Sequence, residues 1–206
     1  MALNLFMLDD VCVSAWYYLV MKPKGNYAFI DSQNLNLGTQ KMGWKMDWRK
    51  FRKMLQDKYG VTKAYMFIGH MPEFEDMYMQ MHDLGFLVVL KPTQNLNKVN
   101  TDKPADEGAE PEEKKPIKGN IDADLVLWTM REIANYDKAI IVSGDGDFYG
   151  LIEYLVEQDK LLHIMTPNWQ YSNLLKAFEN YIVRIDQMRR ELAYFSHKKK
   201  VQKNKS

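Results

Sequence analysis

Acidic residues stand at the places where strand-like runs stop, and their chemistry is the first thing the sequence offers. Tyr27 to Ile30 is apolar and strand-like and ends on Asp31, with Ser32, Gln33 and Asn34 behind it. Ala139 to Val142 is a second such run, broken at once by Ser143, Gly144, Asp145, Gly146 and Asp147, after which a helix-period pattern starts at Phe148. A third acidic place, Asp122 with Asp124, opens a helical pattern that carries Leu125, Trp128 and Ile133. Singly, each has an ordinary reading: Asp147 as a helix cap, Asp145 as a turn residue, and the acids near Leu125 as residues favoured by a helix dipole. Brought to one edge, they would repel one another unless a cation neutralised them, and oxygen donors suit Mg²⁺ or Mn²⁺. Such ions activate a water and steady both the attacking and the leaving oxygen of a displacement at phosphorus, so phosphodiester hydrolysis is the expected reaction class.

The elements that must position these acids follow from the hydropathy pattern. Strand and helix signals alternate along most of the chain, which predicts the α/β class, with a mainly parallel sheet covered by helices on both faces. In that arrangement every strand's carboxyl end lies on one edge, where ligands bind, so Asp31, Asp145 and Asp147 meet by topology and Asp122 joins them from its helix. Further strands are expected at Ala64 to Ile68, Phe86 to Leu90, Leu161 to Met165 and Tyr181 to Ile185. Asp47 is placed to cap a helix bearing Trp48, Phe51, Leu55 and Tyr59, which Gly60 stops. Pro72 opens another, whose Phe74, Met77, Tyr78 and Met81 read as a core stripe. Helices are also expected from Phe148 to about Glu157, from Tyr171 to Phe178, and in a last amphipathic segment with Met188, Leu192 and Phe195. Lys91, at the end of the third strand, and Lys118 are candidates to offset charge on a scissile phosphate.

Length and composition bound the rest. A chain of 206 residues favours one domain, and a net charge of +1 with pI near 7.7 announces neither nucleic acid nor membrane globally, so a polyanion must be met by a local patch. Two such patches stand out. Lys41, Lys45, Arg49, Lys50, Arg52 and Lys53 interleave with Trp44 and Trp48, and the chain ends in Lys198, Lys199, Lys200, Lys203 and Lys205. A single cysteine, Cys12, excludes an intrachain disulfide and fits a reducing, cytoplasmic setting, and no Cys/His spacing suggests zinc. The apolar run from Val11 to Met21 is too short for a membrane span, which needs about 20 residues, and lacks the basic start of a signal peptide. Residues 1–24 therefore read as an extension, and Met21 is an alternative start. The Thr93 to Pro116 segment, acidic, proline-containing and free of aromatics, reads as a flexible insertion. The expected organisation is thus an extension at 1–24, a domain at 25–186 with an insertion at 93–116, and a helix with a basic tail at 187–206.

Three segments also resemble a known family. Phe29-Ile30-Asp31-Ser32-Gln33-Asn34, Lys118-Gly119-Asn120-Ile121-Asp122-Ala123-Asp124-Leu125 and Ser143-Gly144-Asp145-Gly146-Asp147-Phe148 are similar, in this order, to the acidic motifs of NYN domains of the LabA-like branch in the PIN-like nuclease superfamily. The resemblance spans about residues 26–186 and implies a PIN-like three-layer α/β/α fold, a divalent-metal site and ribonuclease activity on RNA. By motif match it implies Asp31, Asp122, Asp145 and Asp147 as metal-binding and catalytic residues, with Asn34 positioning Asp31 or substrate; Ser143 is expected, with Asn34, to hydrogen-bond the carboxylates or a phosphate oxygen. Many relatives carry a further acid six positions beyond the one matched by Asp122. Here that position is Trp128, and Asp124 is the candidate replacement. Two other readings stand beside the enzyme: an RNA-binding or regulatory module with the same fold, and a phosphatase with Asp31 as nucleophile, weakened because Gln33 stands where such enzymes place a second acid. A homo-oligomer is compatible with the sequence.

Overall fold

The computed structural model describes residues 24–69, 72–91 and 121–195. The extension at 1–20, the insertion at 93–116, Lys118 and the lysine-rich tail fall outside the described residues. Six parallel strands form one sheet: β1 (Asn26–Asp31), β2 (Val61–Gly69), β3 (Leu87–Lys91), β4 (Ala139–Val142), β5 (Leu161–Thr166) and β6 (Ile182–Arg184), in the order β3-β2-β1-β4-β5-β6. The helices are α1 (Ser32–Lys41), α2 (Trp48–Tyr59), α3 (Glu75–Asp83), α4 (Ile121–Arg131), α5 (Tyr149–Glu157) and the single turn α6 (Arg189–Leu192). The expected α/β fold with a parallel sheet is what forms. No described helix is long and apolar enough to cross a membrane.

Alternation along β1 shows how the layers arise. Ala28 and Ile30 face one core with Leu35 of α1, Phe51 and Leu55 of α2 and Met81 of α3, while Tyr27 and Phe29 face the other with Leu125 of α4 and Leu151, Ile152 and Leu155 of α5. Both faces are dry, so the central strands carry near-continuous apolar runs. The α2 boundaries follow their expected chemistry: the Asp47 carboxylate accepts from the Arg49 and Lys50 N–H groups, and Gly60 closes the helix at φ +62°, where other residues are strained.

Four expectations are corrected. The stripe opened by Pro72 is half core: Tyr78 and Met81 are buried and Met77 is exposed beside them on α3, while Phe74 is exposed because it belongs to the 3-10 turn Pro72–Phe74, which does not share the phase of α3. The element after Tyr171 is a 3-10 segment, Asn173–Tyr181, kinked at Phe178, instead of an α-helix. The last amphipathic helix shrinks to a 3-10 turn, Ile185–Met188, and α6. Leu192 is buried, and the chain then turns extended through the Met46–Ala193 bridge, which leaves Phe195 exposed. Trp44 and Trp48, whose place among the basic residues left room for a nucleic-acid role, belong to the core: Trp44 is buried, and Trp48 meets Phe51 and Phe86 edge to face.

Helix α1 had no clear periodic signal, since only Leu35 and Thr39 are buried and Gly38 lies inside it. Gly38 is there because the loop after β5 presses on it. A Cβ at this position would fall inside the contact distance of the Pro167 ring, 2.9 Å from Cγ, and Asn168 Nδ2 donates to the Gly38 carbonyl at 2.9 Å. Alanine gains up to about 1 kcal/mol of helix propensity over glycine, but the ring is rigid and overpacking costs about 1–3 kcal/mol, so the clash wins. Gly38→Ala should lower the melting temperature, and an unchanged or raised value in a thermal melt would refute the packing argument.

Candidate functional site at the sheet's carboxyl edge

The strand order reverses direction between β1 and β4, and the crevice at such a switch point is where open parallel sheets bind ligands. Register fixes what meets there. Ile30 pairs with Val142, so the next residues, Asp31 and Ser143, come level as the strands end, and the Ser143 hydroxyl donates to Asp31 Oδ2 at 3.2 Å. The other carboxylate oxygen of Asp31 caps α1 by accepting the Asn34 N–H at 3.0 Å. Asn34 in turn accepts the Gly144 N–H on its side-chain oxygen at 2.9 Å, tying the first turn of α1 to the loop after β4. That loop is ordered from within: Asp145 N–H donates to Ser143 Oγ at 3.2 Å, and Asp145 Oδ1 accepts the Asp147 N–H at 3.1 Å. Asp145 is therefore the cap of the 3-10 turn Gly146–Phe148, the role first assigned to Asp147, which projects exposed from that turn.

Glycines let the loop sit close to its cover. A Cβ on Gly144 would crowd Tyr171 at 3.2 Å, and one on Gly146 would reach Ser172 Cβ at 3.0 Å and Leu174 at 3.1 Å. The Ser172 N–H donates to the Gly144 carbonyl at 2.9 Å. The Pro167–Ser172 stretch thus buttresses the acidic loop from the β5 side, and sequence reasoning missed it. The Pro-Asn pair directly behind a strand end was the available signal.

On the β2 side, α4 brings Asp122. The start of this helix packs at the end of β2, with Ile121 Cδ1 3.5 Å from where a Gly69 Cβ would stand. Asp31 feels all of these surroundings. Burial raises its pKa above the usual carboxylate value, opposed by the Asn34 N–H and the Ser143 hydroxyl, and repulsion from Asp122 and Asp145 raises it further. The edge therefore unites Asp31, Asn34, Ser143 and Asp145 through hydrogen bonds, with Asp122 close enough to act electrostatically.

Lys91 and Asp124 stand apart from this group. They form an ion pair with each other at 3.0 Å at the end of β3, two strands from Asp31, so roughly 10 Å separates the strand axes. The Asp124 charge is balanced by that lysine.

The donor set fits a hard divalent cation in kind, since it consists of carboxylate and hydroxyl oxygens with one carboxyl held above its normal pKa by burial and like charge. It is not drawn into a closed cage: among the described residues, no three His, Cys, Asp or Glu side chains are grouped tightly enough to hold an ion.

Comparison with known proteins adds three findings. The NYN domain family model matches residues 27–186. The Low amplitude and bright protein LabA of Synechococcus elongatus is 25% identical over 172 residues, covering 80% of this chain and 86% of that protein. A crystal structure of a protein of unknown function from Vibrio parahaemolyticus superposes with a TM-score of 0.58 at 21% identity, covering 82% of this chain and 96% of the other, and shares the fold.

Proposed function

Since the chain belongs to the NYN domain family, within the PIN-like nuclease superfamily, we propose that it hydrolyses RNA phosphodiester bonds with the help of a divalent metal ion at the carboxyl edge of β1 and β4. The observation that carries this reading is Asp31. A buried carboxylate beside Asp122 and Asp145, hydrogen-bonded among the described residues to the Asn34 N–H and the Ser143 hydroxyl, is an electrostatic cost that a cation relieves.

Asp31, Asp122, Asp145 and Asp147 would hold the ion, and Mg²⁺ or Mn²⁺ there supplies charge for the scissile phosphate and acidifies a water. The residues of the chain do the positioning. The Ser143 hydroxyl fixes the rotamer of Asp31 while accepting the Asp145 N–H, so one side chain sets the relative placement of both acids. Asn34 locks the Gly144 peptide and holds the loop against α1. The exposed Asp147 carboxylate would orient a water at the rim. Lys91 is proposed to act through Asp124, holding it in the ion pair, instead of reaching the phosphate itself. Lys118 remains a candidate for that contact.

A second reading has an observation of its own. The absence of a preformed three-acid cage among the described residues, together with Trp128 in place of an outer acid, favours a module that holds RNA without cutting it. Incubating mixed RNA with the purified chain separates the two. Cleavage should be abolished by EDTA and restored by Mg²⁺ or Mn²⁺, and RNA left intact under every metal condition would leave the binding module in front.

A further inference from the structure

Away from the acids, exposed aromatic and cationic side chains stand on segments that contact the middle of α1, at Gly38, and the turn just after its end, at Gly43. Asp31 caps the start of this helix, and its ten residues carry the chain about 15 Å before Lys41. At its middle, the loop after β5 is pinned. Asn168, nearly fully buried, donates to the Gly38 carbonyl and accepts the Gln170 N–H at 2.7 Å, so both neighbours of the residue between them are held. That residue is Trp169, 57% exposed, with Leu37 exposed one position before Gly38. More than half of this indole is thus left to solvent, a large apolar surface that the fold does not bury.

At the far end of α1 the same pattern recurs with charge added. The segment after α6 is laced onto the loop before α2 by main-chain bonds: the Asp47 N–H donates to the Leu192 carbonyl, and the Tyr194 N–H donates to the Lys45 carbonyl at 2.9 Å. Tyr194 and Phe195 are thereby fixed at 59% and 63% exposure. Lys50 donates to the Ala193 carbonyl and lies over the Phe195 ring, and Arg189 donates to the Gly43 carbonyl. Residues 41–50 and 189–195 together hold the cations Lys41, Lys45, Arg49, Lys50, Arg189 and Arg190 against the acids Asp47 and Glu191, in a chain whose net charge is only +1. Asp47 is occupied as a helix cap.

Exposed rings give sequence-tolerant stacking, and a cationic strip tracks a phosphate backbone, the combination by which proteins hold single strands. We infer that these side chains form a track for single-stranded RNA, running from the acid edge over Trp169 to the Tyr194–Phe195 strap, with the bases stacking on the three rings and the phosphates following Lys45, Arg49 and Arg190. The track extends the ribonuclease reading by naming the form of its substrate, and its test separates the two.

Binding of a labelled RNA of about twelve nucleotides, within the usual single-strand site range, is measured by fluorescence anisotropy in EDTA on the full chain, while cleavage by the wild type is followed with Mn²⁺. Trp169→Ala and Tyr194→Ala should each raise Kd about tenfold, and Lys45→Gln with Arg190→Gln should flatten the salt slope by about 0.7 per cation removed. All of these are surface changes, and thermal melts confirm the fold of each variant. A duplex of the same sequence should bind more weakly, because its bases are not free to stack on the rings. Variants that bind as the wild type does, or duplex bound as tightly as single strand, would overturn the track and leave the acid edge standing if the wild type cleaves. Weakened binding in the variants alongside a wild type that never cleaves supports the track and refutes the nuclease.

Discussion

Asp145→Asn should lower RNA turnover by about a thousandfold or more while the protein melts where the wild type does. The order of magnitude is that of losing a group that acts on the reacting centre. The fold should survive because the structural duties of Asp145 need no charge. Its Oδ1 accepts the Asp147 N–H at 3.1 Å, which an asparagine oxygen does equally well, and its bond to Ser143 Oγ comes from the main chain. What is lost is one negative charge beside Asp31 at the point where β1 and β4 part. Asp124→Asn provides the contrast. That carboxylate is committed to Lys91 at 3.0 Å, so its loss should cost less than about tenfold in turnover, on the scale of an outer-shell group. Equal losses in the two variants would show that the site is centred nearer β3 than the strand order implies. Undiminished cleavage in Asp145→Asn would remove the proposed mechanism.

Asp31→Asn should abolish turnover to a similar degree and, without divalent ions, make the protein more stable, by about 1 kcal/mol, the usual gain when a strained functional site is relaxed. Asparagine caps a helix as well as aspartate does, so the α1 cap is kept. The charge that burial, Asp122 and Asp145 all disfavour is removed. The sign of the pH dependence follows. The folded-state pKa of Asp31 lies above its unfolded value near 3.8, so the native state holds the proton over a window where the unfolded chain has released it. In the wild type this group's contribution is fully present below that unfolded value and is lost as pH rises through the folded one. The melting-temperature advantage of Asp31→Asn should therefore be full above the folded-state pKa and close as pH falls through it toward 3.8. Mn²⁺ should narrow the gap from the other side by stabilising the wild type through binding linkage and the variant little or not at all. A variant less stable than the wild type at neutral pH, or a wild type indifferent to the ion, would mean that Asp31 is a structural cap and no more.

The acidic residues were legible because the end of a parallel strand is an abrupt event in sequence. Apolar runs such as Ala139 to Val142 cannot continue into Ser-Gly-Asp-Gly-Asp, and one topology then puts all such breaks on one edge. The boundaries of α2 were legible for the same local reason, since Asp47 and Gly60 satisfy orphaned backbone groups within a few residues of themselves. Composition and pattern by themselves thus determined the α/β class, the strand ends and the residues standing there. What they did not hold was anything decided across the sheet. The Ile30–Val142 register makes Ser143 the partner of Asp31 and leaves Asp145 as the cap in place of Asp147. The strand order carries Lys91 away from Asp31 and into a pair with Asp124. The folding of the 185–195 segment onto α2 buries Trp44 while leaving Tyr194 and Phe195 outside. The physical reason is common to all three. Capping and periodicity are satisfied within a turn or two of chain, whereas pairing and burial are chosen by which distant surfaces exclude water together, and only the assembled sheet contains that information.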